Sequence, residues 1–261
     1  MTMNCPRCGA LVAPDEEVCP ECNYRLAPET LERLLPLLKR PEKEPISAIP
    51  FPIRIAKAII SPSQAFYDIS RAPDAVGPFM IFLLNVLCLT LFYAAGWNHI
   101  YAFGDYWALS ALGEGALLGR MVSNAILVFI QFLFLGLIYW LPFRLVGKKG
   151  SYKKDLSIIG YAYTPVLIGR AISVLILFTS LPSIVIPVGA NLLQAGISVA
   201  FVFTSSAWTI VTIIEFATWL WAAFIIALGI RQVNELSTTA ALISSYVIML
   251  IFLVIYASLL F

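Results

Sequence analysis

Long runs without a charged residue are the feature that most constrains the fold of this chain. Residues 75–104 and 121–143 contain no Lys, Arg, Asp or Glu, and residues 171–214 contain none either. A helix that crosses a bilayer needs ~20 mostly apolar residues, so each of the first two runs accommodates one span and the third contains parts of two. The chain is 60% hydrophobic and only 12% charged, which indicates an integral membrane protein.

Five spans account for these runs and for the apolar carboxyl-terminal segment. Their predicted positions are 78–97, 121–143, 157–178, 205–230 and 238–260. A sixth span exists only if residues 184–203 cross the membrane completely. The prolines and glycines in and around that segment favour a broken or interfacial structure instead.

The amino-terminal head contains two close pairs of cysteines. Cys5 and Cys8 form one C-x2-C pair, Cys19 and Cys22 form the other, and ten residues separate the pairs. Four thiolates match the ligand set of a structural tetrahedral zinc site, with one Zn²⁺ per chain. Two disulfides or redox-active pairs are the alternatives, but so small a head has no apolar core and needs a metal to fold. Zinc thiolates also indicate a reducing compartment.

Four regions follow from this pattern. A zinc ribbon covers residues 1–27, a helix and a Pro-rich charged linker cover 28–52, amphipathic helices cover 53–74, and the five-span domain covers 75–261. We expect the amphipathic helices either on the cytoplasmic leaflet or packed under the membrane domain. The predicted fold class is an all-α polytopic membrane protein: a five-helix transmembrane bundle with a small N-terminal zinc ribbon and interfacial amphipathic helices.

The distribution of basic residues predicts the orientation. Five of them, Arg144, Lys148, Lys149, Lys153 and Lys154, lie between spans two and three, whereas the loop before span two has only Arg120. Loops rich in Lys and Arg stay in the cytoplasm, and the same argument places Arg231 there. With five spans, the amino terminus is then cytoplasmic and the carboxyl terminus lies outside. We therefore expect a multi-pass protein of the cell membrane.

Two charged residues lie inside predicted spans. Arg170 is the only charge in 157–178, and Glu215 is the only one in 205–230. The two residues lie at similar depth, and a lone charge in hydrocarbon costs at least ~2.5–3.5 kcal/mol, so we expect them to pair. The predicted intramembrane polar site contains this pair together with Tyr163, Thr212 and Pro165, which should kink its helix.

Three segments carry a family resemblance. They are SPSQAFYDI at 61–69, GYAYTPVLIG at 160–169 and ALGIRQVNELSTTAALISSYV at 227–247. They resemble, in order, the segment before the first span, the Gly-Tyr…Pro signature of the third span and the last cytoplasmic turn of Yip-domain (Ypt-interacting protein) membrane proteins. The resemblance covers residues 60–261 and implies a five-span, non-enzymatic protein with a cytosolic amino terminus.

The eukaryotic members of that family work in Golgi and vesicle traffic with Rab-type GTPases. Here a zinc ribbon, a prefix common on prokaryotic membrane proteins, replaces the longer eukaryotic tail. The resemblance therefore implies a prokaryotic-type member, and only the topology and a membrane-organising role are carried over.

Two functions remain open, and neither is enzymatic, because HExxH, glycine-rich phosphate-loop and GxSxG motifs are absent. The first is a membrane scaffold or adaptor that binds a cytoplasmic protein through the ribbon or the surface helices. The second is a transporter or channel for an ion, lipid or small solute that uses Arg170 and Glu215. Expected partners are the lipid bilayer and a cytoplasmic protein, with homo- or hetero-oligomers compatible with both functions. The acidic head makes nucleic acid an unfavourable ligand.

Overall fold

The computed structural model describes residues 3–5, 8–13, 16, 19–22, 26, 29–40, 49–104, 117–147 and 151–260. The strands are β1 (Met3–Asn4), β2 (Leu11–Val12), β3 (Ile100–Ala102) and β4 (Ile184–Ile186). The helices are α1 (Thr30–Leu34), α2 (Phe51–Ile60), α3 (Pro62–Arg71), α4 (Val76–Trp97), α5 (Leu117–Leu145), α6 (Tyr152–Ala162), α7 (Thr164–Ser180), α8 (Leu192–Phe203), α9 (Ser206–Asn234) and α10 (Thr238–Leu260).

Five helical segments of the described chain are long and apolar enough to cross a membrane: α4, α5, α6 with α7, α9 and α10. They confirm the predicted all-α, five-span fold. The segment between the third and fourth spans contains β4 and the 12-residue helix α8. At 1.5 Å per residue α8 is ~18 Å long, too short for a hydrocarbon core of ~30 Å.

The third span is broken into two helices. Helix α6 ends at Ala162, and α7 begins at Thr164 with Pro165 in its first turn. Because proline lacks a backbone N–H and restricts the preceding residue, the predicted kink takes the form of a break at Tyr163. The Tyr163 ring packs edge-on against Phe132 and Trp219, with centroid distances of 6.0 and 5.3 Å. These contacts hold the break between the second and fourth spans.

Glycines allow α6 to approach its neighbours closely. A Cβ atom on Gly160 would lie 2.4 Å from Cβ of Pro78 in α4, and one on Gly229 in α9 would lie 2.3 Å from Cγ2 of Ile158. No larger residue fits at either position without movement of the helices. Small residues at such contacts are a general device for packing spans in lipid.

Helices α2 and α3 lie at one end of the bundle, here called the basic end, where α5 meets α6 and α9 meets α10. Phe66 and Ile69 of α3 are fully buried, and Phe66 contacts the backbone region of Gly229. Helix α3 is therefore packed under the membrane domain. Helix α2 instead leaves Ile53 and Ile60 exposed, which gives it the apolar outer side of an interfacial helix.

The opposite end of the bundle is closed by a small parallel sheet. Strand β3 pairs with β4, with Ile100 opposite Ile184. Buried Ile100 and Ile186 pack in one cluster with Leu177 of α7 and Val202 of α8. The sheet thus ties the end of the first span to the end of the third.

Candidate metal centre and buried ion pairs

The four predicted metal ligands come together in the head. The sulfur atoms of Cys5, Cys8, Cys19 and Cys22 all lie within 4.8 Å of one another. The Sγ–Sγ distance is 3.6 Å for Cys5 and Cys22 and 3.7 Å for Cys8 and Cys19, and no disulfide joins these four residues. A tetrahedral zinc ion with Zn–S bonds of ~2.3 Å places its sulfurs ~3.8 Å apart. Both the donor set and its spacing therefore fit one tetrahedral ion.

A short hairpin positions the first cysteine pair. Strands β1 and β2 are antiparallel, with Met3 opposite Val12, and the first C-x2-C pair lies in the turn between them. Gly9 has φ +77°, and its N–H donates to the carbonyl of Cys5 at 2.9 Å. Glycine adopts this left-handed conformation without steric cost. The turn therefore directs Cys5 and Cys8 toward the second pair.

Arg170 and Glu215 lie side by side between α7 and α9. Nε of Arg170 is 3.4 Å from Oε1 of Glu215, and the side chains are 3% and 23% exposed. The guanidinium also donates to Oδ1 of Asn85 in α4 at 3.2 Å, and the Asn85 amide donates to the carbonyl of Ile81. One cation thus contacts acceptors on two other spans. An amide in an apolar span is a sequence signal for such a contact.

The other residues of the predicted polar site make different contacts. Tyr163 and Pro165 are buried at the break in the third span. The side chain of Thr212 is on the exposed side of α9, and its hydroxyl donates to the carbonyl of Trp208 in the same helix. The structure therefore brings Arg170 together with Glu215 and Asn85, and the hydrogen bond of Thr212 stays within α9.

A second group of buried charges lies where the segment after the ribbon meets the turn between α9 and α10. Arg231, expected only as a cytoplasmic charge after the fourth span, is fully buried. Its guanidinium donates to the carbonyl of Leu38 at 2.8 Å, to Oγ1 of Thr238 at 2.9 Å and to Oε1 of Glu32 at 3.2 Å. Both carboxylate oxygens of Glu29 accept the backbone N–H of Thr238 at 2.9 Å.

Arg40 completes this group. Its Nε donates to Glu32 at 3.1 Å, and another guanidinium nitrogen donates to the carbonyl of Leu236 at 2.9 Å. We call the five residues the corner cluster: Glu29, Glu32, Arg40, Arg231 and Thr238. Together they dock residues 29–40 onto the fourth and fifth spans.

Electrostatics favour the ionised form of Glu32 in the corner cluster. Burial alone raises the pKa of Glu32, but hydrogen bonds from Thr238 and Arg40 and the charges of Arg40 and Arg231 outweigh it, so this pKa lies below its ordinary value. Glu29 lies at the amino end of α10, where the helix dipole favours a negative charge. Because 199 residues separate Glu32 from Arg231, no local sequence pattern indicates their contact.

A third ion-pair group joins the surface helices to the bundle. Arg54 of α2 donates to Asp68 of α3 at 2.7 Å and also pairs with Asp74. Asp74 accepts the hydroxyl of Tyr161 at 2.8 Å and the backbone N–H of Gly77 at 3.0 Å, which caps α4. Burial lowers the pKa of Arg54, but the two carboxylates outweigh it and raise that pKa overall.

A groove opens between α4, α5 and α6 at the basic end. It encloses about 370 Å³ and is lined by Asp74, Ala75, Pro78, Phe79, Phe82, Phe129, Phe132, Lys153, Leu156 and Ser157. A smaller cavity of about 10 Å³ shares Phe82 and Phe132 with it and extends to Tyr163. We call the two together the lateral groove. Neither cavity is lined by Arg170 or Glu215.

Five apolar spans, joined by buried ion pairs and covered at one end by short helices, define a polytopic α-helical membrane protein. The family model of the Yip1 domain matches residues 56–259. The chain therefore belongs to the Yip1 domain family, and this confirms the resemblance of its three sequence segments. No curated protein and no solved structure shows a significant match to the chain.

Proposed function

We propose that this protein is a non-enzymatic membrane scaffold or adaptor, a membrane-organising factor of the trafficking type, whose cytoplasmic ribbon binds a protein partner. The corner cluster is the observation that carries this proposal. It joins the segment after the ribbon to the fourth and fifth spans through buried charges. A partner bound to the head is then held near one face of the membrane domain, whereas a flexible linker would leave the position of the partner undefined.

The metal in this proposal is Zn²⁺, one per chain, with a structural role. Four thiolates close the coordination shell of the ion and leave no position for a catalytic water. The surface of the ribbon offers Leu11, whose side chain is 71% exposed. An exposed apolar residue on a small rigid head is a suitable contact for another protein.

The basic end faces the cytoplasm in this proposal, with the amino terminus inside and the carboxyl terminus outside. Arg144 and Lys153 are exposed at that end, as expected of cytoplasmic basic residues. Zinc thiolates require the same reducing side of the membrane. Charge distribution and thiol chemistry therefore support one orientation.

Site-specific crosslinking tests the role of the head. With a photoreactive residue in place of Leu11, the full chain should form a crosslink to one protein in intact cells. Cys19→Ser should remove both the zinc and that crosslink while the membrane domain stays inserted, because the four ligands lie in the head and not in a span. Zinc-free wild-type protein, or an undiminished crosslink in Cys19→Ser, would contradict the proposal.

A transporter or channel is the second candidate, and one observation favours it. Arg170 and Glu215 form an ion pair inside two apolar spans, and ionisable groups within spans are candidates for an ion or solute path. Complementation of cells that lack the protein separates the two functions. A scaffold is impaired by Cys19→Ser and tolerates the inserted double variant Arg170→Met/Glu215→Met, whereas a transporter shows the reverse.

A further inference from the structure

The lateral groove differs from an ordinary furrow between helices in its length and in its chemistry. From Ala75, just before α4, to Phe82 its lining spans seven residues, or ~10 Å at 1.5 Å per residue. This is about two thirds of one leaflet of a hydrocarbon core of ~30 Å. Four phenylalanines line it: Phe79, Phe82, Phe129 and Phe132.

The groove opens sideways, toward the surface that lipid covers. Phe79 and Phe129 on its two walls are 57% and 51% exposed. In a bilayer, this apolar space is in contact with acyl chains and not with water. A single acyl chain that enters from the side would replace lipid contacts by protein contacts along the part that lies in the groove.

The mouth of the groove carries a positive charge. Lys153 lines it and is exposed, and within the described part of the chain no carboxylate lies at ion-pair distance from its ammonium group. Asp74, the acid in the lining, is already engaged by Arg54 and Tyr161. The mouth therefore presents a cation at the level where lipid headgroups lie, and it suits a negatively charged headgroup.

We infer that the lateral groove is a binding site for one anionic phospholipid, with an acyl chain along the phenylalanines and the phosphate at Lys153. This site is separate from the proposed docking function of the ribbon. It would hold a lipid of the leaflet at the basic end in a defined position against the first three spans.

Native mass spectrometry of the full-length protein tests this inference. The probes are phosphatidylglycerol and phosphatidylcholine with identical chains, added to protein in detergent micelles. The wild type should retain one phosphatidylglycerol, with about fivefold preference over phosphatidylcholine, since one lysine near a surface contributes about that factor. Lys153→Gln should abolish the preference. The neighbouring Lys154, which does not line the groove, provides the matched control Lys154→Gln, which should keep it.

A second pair of variants tests where the acyl chain lies. Ala75→Phe at the mouth and Leu156→Phe on the opposite wall fill the groove, and each should reduce retention of both lipids. Their elution in size-exclusion chromatography shows whether each variant is folded. Equal retention of the two lipids by the wild type would overturn the inference. So would equal losses of preference in Lys153→Gln and Lys154→Gln, or undiminished retention in the folded variants that fill the groove.

Discussion

Replacing Glu215 by Met should destabilise the membrane domain more than replacing Arg170 by Met. In Glu215→Met the guanidinium keeps its charge at any accessible pH, remains buried and retains the hydrogen bond to Asn85. Breaking a buried pair in this way costs about 3–5 kcal/mol. In Arg170→Met the remaining carboxyl is 23% exposed and becomes neutral by taking up a proton. We therefore expect a smaller loss, about 1–2 kcal/mol.

The double variant Arg170→Met/Glu215→Met should be closer to the wild type than Glu215→Met is. Two apolar side chains of similar length fill the space and leave no charge in hydrocarbon. We expect a total loss of about 1–2 kcal/mol, so the summed single losses exceed the double loss by about 4 kcal/mol, which is the coupling energy between the two positions. Reversible unfolding in mixed detergent micelles, followed by the fluorescence of the six tryptophans, measures all four free energies.

Thr212→Val is the matched control, because Thr212 lies in the same helix as Glu215 on its exposed side. Its free energy of unfolding should stay within about 0.5 kcal/mol of the wild type. Strictly additive losses would show that Arg170 and Glu215 do not interact. A larger loss in Arg170→Met than in Glu215→Met would refute the argument from protonation.

Three further predictions concern the corner cluster, the topology and the contact between α4 and α6. Glu32→Ala should raise hydrogen exchange in the docked segment at least a hundredfold, since buried Arg231 loses its carboxylate partner, whereas exposed Arg33→Ala should change it little. Folding lowers the pKa of Glu32, so its contribution to the stability of the docked segment is fully present above the ordinary glutamate range. That contribution is lost as the pH falls through the lowered pKa, so hydrogen exchange should rise only in strong acid. A cysteine at Ser151 should be labelled from the cytoplasm and one at Val188 only from outside, and cytoplasmic labelling at Val188 would contradict the proposed orientation. Gly160→Ala should lower the free energy of unfolding by about 1–3 kcal/mol, because the added Cβ lies 2.4 Å from Pro78; unchanged stability would mean that the two helices separate easily.

The sequence predicts the spans well because hydrocarbon imposes one simple requirement. A crossing helix must be continuously apolar over ~20 residues, and this requirement is visible in the chain without any knowledge of its neighbours. The break in the third span is predicted for the same local reason, because Pro165 removes a backbone donor wherever it lies. The cysteine cluster can also be predicted from the sequence, since its ligands are close together in the chain.

The corner cluster could not be predicted, because its burial depends on tertiary contacts. Leu34 and Leu35 are apolar, yet they are 70% and 52% exposed, while the acidic residue Glu32 is 6% exposed. A carboxylate can be buried there only because Arg231 and Thr238 supply donors from more than 190 residues away. Propensity and periodicity describe a single helix and contain no information about such distant partners.

The distance along the chain between the members of the corner cluster sets an order of events during synthesis. Glu32 emerges from the ribosome 206 residues before Thr238. The hydroxyl of Thr238 can donate to the Glu32 carboxylate only when the last span begins to form. At ~5–20 residues per second, this interval is roughly 10–40 s. Throughout that time Glu29 and Glu32 remain in water, at no cost in desolvation, and the head stays unattached. The head can therefore be attached only after the first four spans have been synthesised.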